Sequence, residues 1–341
     1  MTVKKYEIDM LNVGAADACL IHFFDESGKS YVVLIDAGNY SNGKSVSDFV
    51  KTRYGTKTID LAICSHCDKD HFGGLVYLLE DMTARPFSSV KIKSLWVNDP
   101  GKHVSVEDVK YYRNQQNAEK EARSVYTLPN GKNLFEVLSK VNVTVSEAFP
   151  DTTFTAFNGH IEVLGPTKNY YEKKSLLFRN KLEPIVKTYS GTDSFDDSDE
   201  SGDVKSKALD DASDDSSAHN QTSILVLFKP DDGQKFYFPG DAGREAFDNM
   251  FDVDKDKIKD ITWLKVPHHG SRGNMNCAMV NWMNPTYAYV SCEGYDKWLD
   301  RLIVRVLKRK GCYVASTHVS GNMWYHIGTD LRSDYSPLSY L

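Results

Sequence analysis

Short apolar runs divided by polar turns recur along this chain, and many carry the two-residue alternation of half-buried strands. Residues 6–13 read as a first strand, 18–24 as a second and 31–36 as a third, joined by a turn at 14–17 and a hairpin connection at 25–30. Residues 45–54 have helical spacing and lead into an apolar run at 59–64 that reads as a buried strand. Helix is expected at 75–80, after the pair Gly73-Gly74, and strand at 90–97. Residues 104–127 have helical character, and a short helix at 132–140 follows the turn Asn130-Gly131. Further strands fall at 224–228 and 235–241, around the tight turn Asp231-Asp232-Gly233, then at 263–267 and 287–292. A helix at 299–308 precedes a final strand pair within 311–327, which leaves His318 in a hairpin. Strands and helices that alternate in this way give an α/β chain.

Composition changes the picture in one place. Between 188 and 217, aspartate alternates with serine and glycine and aromatic residues nearly vanish. Such a stretch cannot bury enough apolar area to offset its ordering, so a mobile acidic insertion is expected, either a solvated loop or a flap that repels nucleic acid until a partner or cation binds. Elsewhere the 341 residues are ordinarily globular, with 41% hydrophobic and 26% charged residues and a net charge of −6. That balance excludes a global basic field for nucleic acid or anionic membrane. No apolar run approaches a membrane span, and the first residues lead into a strand rather than a signal peptide. Cys64-x-x-Cys67 lacks a second such pair. The six cysteines therefore read as reduced, largely buried thiols of a cytoplasmic protein.

The chemistry concentrates in the ten residues from Ser65 to Gly74, between a strand end and a helix start. His66, Asp68, Asp70 and His71 crowd one short turn there. Carboxylates this close raise one another's pKa unless a positive charge holds them. A pair of divalent metals resolves the conflict, because imidazole and carboxylate suit zinc, iron and manganese. Three later stretches offer further donors: His219-Asn220 before a strand, Gly240-Asp241 after one, and His268-His269 before Gly270-Ser271.

His66-x-Asp68-x-Asp70-His71 followed by Gly73-Gly74 resembles the H-x-[HD]-x-D-H signature of the metallo-β-lactamase fold. Asp68 stands where a second histidine is usual, which makes that site harder and more anionic and leaves both zinc and manganese open. Asn220-x-x-Ser223, a strand, a hairpin, a second strand and Gly240-Asp241 resemble the competence-protein subset of that fold, as do Ile161-x-Val163-Leu164-Gly165-Pro166 and the closing strands. The likeness spans roughly residues 6–330. It implies one domain over 1–341, a four-layer αββα sandwich whose two mixed sheets pack face to face, with the acidic insertion at 188–217.

The resemblance also implies a ligand set. His66, Asp68, Asp70 and His71 would bind two divalent ions and Asp241 would bridge them. The remaining position of the first site falls to His219, to Asn220 or to water. Of the last histidine pair, His269 would ligate and His268 would face the substrate or transfer a proton, or the two exchange roles, since adjacent strand-end side chains point different ways. Asp36 would brace the metal loop, and Asp17 would support the site or satisfy loop amides. Ser271 and Arg272 would hold an anionic oxygen or form an ordinary turn. Cys67 is not expected to reach either ion. The function expected is a dinuclear zinc or manganese phosphodiesterase acting on nucleic acid or a nucleotide, with Asp70 and His268 as its catalytic residues. A metal-bound regulatory subunit working beside a protein partner in a larger assembly, and an esterase or lactonase, are the other readings.

Overall fold

The computed structural model describes residues 1–107, 109–150, 154–179, 203–295, 299–333 and 337–341, with backbone alone for 251–254. The alternation seen in the sequence builds two seven-stranded sheets. The first holds β1 (Lys5–Met10), β2 (Cys19–Phe24), β3 (Ser30–Ile35), β4 (Thr58–Ile63), β5 (Lys91–Trp96) and β6 (Thr144–Ser146), side by side in chain order. The second runs from β7 (Thr155–Ala156) through β8 (Ile161–Gly165), β9 (Leu225–Phe228), β10 (Phe236–Phe238), β11 (Trp263–Lys265) and β12 (Tyr287–Val290) to β13 (Tyr313–Ser316). Both sheets are mixed: β1, β2 and β3 pair antiparallel while β3 to β6 run parallel, and β10 to β13 run parallel beside antiparallel β8, β9 and β10.

Period-two burial then sorts each strand between two apolar layers. Ile21, Phe23, Val33, Ile35, Leu61 and Ile63 meet Val226, Phe228, Phe236, Phe238 and Trp263 in a core between the sheets. Leu20, Val32 and Leu34 face outward under α1 (Gly43–Arg53) and α2 (Lys69–Ala84), which contribute Val46, Val50, Leu75 and Leu79. On the far side, Leu225, Leu227, Leu264 and Val290 pack beneath Ile303 and Leu307 of the helix Arg301–Arg309. Helices, sheet, sheet and helices make the expected αββα sandwich.

Three local expectations change. The glycine pair does not precede α2 but lies inside it, because α2 starts at Lys69. A Cβ on Gly74 would sit 2.0 Å from the Ala37 carbonyl oxygen, and one on Gly73 2.5 Å from the Tyr40 nitrogen. Close approach of α2 to the chain after β3 therefore demands both glycines, despite their helix penalty of about 1 kcal/mol each. The last strand pair is no hairpin. β13 ends the second sheet, a short helix at Thr317–Ser320 carries His318, and β14 (Met323–Ile327) pairs antiparallel with β1 at the edge of the first. The chain crosses between the sheets there, closing the sandwich at one end.

The third change concerns the acidic stretch. Residues 188–202 lie outside the described residues, but 203–217 is anchored at particular points. Leu209 is fully buried in the helix Lys207–Asp210. The buried Arg244 guanidinium donates to the carbonyls of Leu209 at 2.7 Å, Ala212 at 3.1 Å and Asp210 at 3.2 Å, and pairs with Asp214. Aspartates dominate the composition, but Val204 and Leu209 supply the anchors that a compositional average conceals. Leu209→Ala should cost about 2–5 kcal/mol of stability, the range for emptying a buried leucine site, as read from urea unfolding.

His22 on β2 is buried against Tyr54 and Phe24, and neither ring nitrogen has a hydrogen-bond partner among the described residues. Burial pushes its pKa from 6.5 down to about 4. Between those values an unfolded chain takes up a proton that the folded chain refuses, so this contribution is complete above pH 6.5 and is lost as pH falls towards 4. A His22→Leu variant should therefore gain stability relative to the parent across that window. A parallel pH series of unfolding curves measures the difference.

Candidate metal centre

The site forms where the carboxyl ends of both sets of parallel strands meet. Asp36 follows β3, Ser65 to Asp68 follow β4, Asp241 follows β10 and His268-His269 follow β11; Asp70 and His71 occupy the first turn of α2, and Asp17 lies between β1 and β2. Backbone geometry is specialised at these points. Asp36, His268 and His269 adopt φ of 57°, 45° and 53°, a left-handed region costly for residues with a Cβ.

Hydrogen bonds settle the orientation of three imidazoles. His71 Nδ1 lies 2.8 Å from Asp36 Oδ2, which can only accept, so Nδ1 carries the proton. The Ser65 hydroxyl donates to the same carboxylate at 2.6 Å, and its oxygen therefore accepts from His66 Nδ1 at 2.9 Å. His269 Nδ1 donates to the Ser291 carbonyl at 2.9 Å. In all three rings the Nε2 atom is left to face inward. His71 Nε2 is 3.2 Å and His269 Nε2 3.8 Å from Asp241 Oδ2. One ligand atom each from His66, His71 and Asp241 lie within 4.8 Å of one another, as do those of Asp70, His71 and His269. His66 Nε2 and His71 Nε2 are buried without hydrogen-bond partners among the described residues.

Asp68 points to the other side of His66. Its Oδ2 is 3.7 Å from His66 Nε2, and its Oδ1 accepts from His219 Nδ1 at 2.8 Å. His219 thus joins the centre from the short helix Ala218–Gln221. Cys67 comes closer than expected: its buried sulfur falls within 4.8 Å of the ligand atoms of Asp68 and His219. His268 does not join. Its Nδ1 is 2.9 Å from Asp215 Oδ2 and 3.2 Å from Asn274 Oδ1, and its backbone N–H donates to Asp241 Oδ1 at 3.2 Å. Arg272 is paired with Asp300.

The electrostatics favour cations. Asp17, Asp36 and Asp241 are each 2% exposed, with Asp68 and Asp70 beside them, and Lys265 offsets one of these charges. Burial alone would raise the carboxyl pKa values and lower those of the histidines. Instead, pairing with histidines holds Asp36, Asp70 and Asp241 down, and Asp241 and Asp36 carry His71 well above its usual range. The imidazoles take up protons to balance buried carboxylates, and divalent cations would displace those protons at the same place. This donor set, oriented and anionic, fits divalent metal ions.

Lys265 and Asp215 were not singled out from the sequence. Lys265 left one trace, a charge inside the apolar run before the histidine pair. Asp215 left none among its acidic neighbours. A cleft of about 450 Å³ opens beside the centre, lined by Cys67, Asp68, Lys69, Asp70, Arg179 and His219 among others. No helix of the described residues is long and apolar enough to cross a membrane, and all six cysteines are free and buried.

Among curated proteins, no sequence match was found. The chain is similar in structure to a long form RNase Z from yeast at 13% identity and a TM-score of 0.41; the likeness covers 85% of this chain but 37% of that one. The sequence matches the metallo-beta-lactamase superfamily over residues 14–199, just over half of the chain and including the loop from His66 to His71. With that match, the αββα sandwich and the rim of oriented histidines, the chain belongs to the metallo-beta-lactamase superfamily.

Proposed function

We propose that this protein is a dinuclear metal hydrolase of phosphodiesters in nucleic acid or a nucleotide, of the competence-protein type. One observation carries the reading: the inward Nε2 atoms of His71 and His269 both face Asp241 Oδ2, with His66 beside them. His66, Asp68 and His219 would hold one ion and Asp70, His71 and His269 the other, with Asp241 serving both. Zinc or manganese bound there supplies Lewis acidity and an activated water.

The chain's own residues supply orientation and charge. Asp36 and Ser65 fix two imidazoles in the tautomer that leaves Nε2 inward, and the Ser291 carbonyl fixes the third. Lys69 and Arg179 line the cleft beside Asp68 and Asp70, where positive charge suits a phosphate more than a neutral ester or lactone. His268 is the proton-transfer residue. Asp215 stays a carboxylate, its pKa at about 2: burial would raise it, and the hydrogen bonds from His268 and Asn220 more than offset this.

Elemental analysis of purified protein reconstituted with zinc or manganese should give about two ions per chain; none with either metal would end this reading. Asp241→Ala and Asp70→Ala should each lower hydrolysis of bis-p-nitrophenyl phosphate by orders of magnitude with an unchanged circular dichroism spectrum. Asp36→Asn, which alters a bracing hydrogen bond and no ligand, should weaken metal binding about 10–100-fold. Turnover of a lactone or thioester with no turnover of phosphodiesters would move the substrate class and keep the metal centre.

A further inference from the structure

We propose that Lys265 is a positioning residue of the metal centre, which ties the two sheets together and leaves Oδ2 of Asp241 as the oxygen open to cations. The inference rests on the metal-hydrolase reading above. Lys265 ends β11, and Trp263, two residues earlier, lies in the core between the sheets while Leu264 faces the outer helices. Strand alternation therefore sends the Lys265 side chain inward as well. It is 3% exposed, and its ammonium group meets three oxygens. Nζ is 2.7 Å from the Gly240 carbonyl and 3.2 Å from Asp241 Oδ1, both in the turn after β10 of the second sheet, and it forms an ion pair with Asp17, between β1 and β2 of the first.

The two oxygens of Asp241 consequently differ. Oδ1 accepts from Lys265 and from the His268 backbone N–H, both at 3.2 Å. An oxygen already neutralised by an ammonium is a poor partner for a further cation. Among the described residues, Oδ2 faces the Nε2 atoms of His71 and His269, at 3.2 and 3.8 Å. Lys265 thus decides which oxygen is offered and where it stands. Its three-donor ammonium suits three converging acceptors, a geometry that the planar fork of arginine does not reproduce.

Removing Lys265 has two consequences that one variant cannot separate. It takes the ammonium from the buried Asp17, leaving that carboxylate with His269 Nδ1 at 3.6 Å and His71 Nδ1 at 3.8 Å, which is destabilising in itself, and it releases Asp241. The combination Asp17→Asn with Lys265→Met removes the first effect and keeps the second, and Asp17→Asn alone is its reference, since Asp17 also faces His269 and His71. This double variant should melt close to the parent in metal-free buffer, whereas Lys265→Met alone should melt well below it. Competition with a chromophoric chelator should then show zinc affinity reduced about 10–100-fold in the double variant, with kcat falling and KM for the phosphodiester nearly unchanged. Lys265→Arg keeps a charge against Asp17 and should show the same loss of affinity, so the test survives if the double variant does not fold. Native zinc affinity in either folded variant overturns the role of Lys265. A parent protein that binds no ion instead overturns the metal reading, a result visible before any variant is made.

Discussion

Everything at the rim of this sandwich depends on how charge is balanced among carboxylates that are largely buried. Asp17, Asp36 and Asp241 are buried together, Asp68 and Asp70 stand next to them, and Lys265 is the ammonium among them. Like charges about 4 Å apart repel by about 4 kcal/mol even at an effective dielectric near 20. Imidazoles answer part of that repulsion by holding protons, and a centre built for cations answers the rest. The same arrangement accounts for the hydrogen bonds around it. Asp36 faces His71 and Ser65 and not solvent, and each Nδ1 proton is spent on an outer acceptor so that the opposite nitrogen faces the shared space.

The fold creates this space by bringing together chain ends that have no other reason to meet. Parallel strands β3, β4, β10 and β11 all finish at one rim, one pair in each sheet. The core between the sheets, with Phe23, Phe228, Phe236 and Trp263 at its centre, fixes their spacing. Strain is accepted at the rim: His268 and His269 are successive left-handed residues, at about 1–3 kcal/mol each for such conformations. That backbone turns the His269 ring inward and the His268 ring towards Asp215, which divides two adjacent and chemically identical side chains between different tasks. The segment carrying Asp215 is in turn clamped by Arg244 through the carbonyls of residues 209, 210 and 212.

How much of this could be read from the sequence depended on distance along the chain. Strands β1 to β5 and β9 to β12 followed from apolar runs and alternation, while the short β6 and β7 did not, and the cluster from His66 to His71 was legible because its donors lie within six residues. Gly73 and Gly74 were visible as glycines, but their purpose was not, since the atoms they admit belong to Ala37 and Tyr40. The anchor points within the acidic stretch were hidden for a similar reason. Composition averages over aspartates, while Leu209 and Asp215 act singly through partners tens of residues away.

The sequence by itself determined the α/β alternation and the local donor set, because strand alternation and a six-residue spacing are properties of a short, stiff backbone; the sandwich followed from the family resemblance of that donor motif. Only the tertiary structure decided which nitrogen of each histidine faces inward, which member of the His268-His269 pair joins the centre, and that β13 and β14 end in different sheets. Each of those outcomes is set by an acceptor or an edge delivered from elsewhere: Asp36 to His71, Ser291 to His269, β1 to β14. The pairing of Lys265 with Asp17 belongs to the same kind, since its partners come from opposite sheets and meet only when the sheets pack.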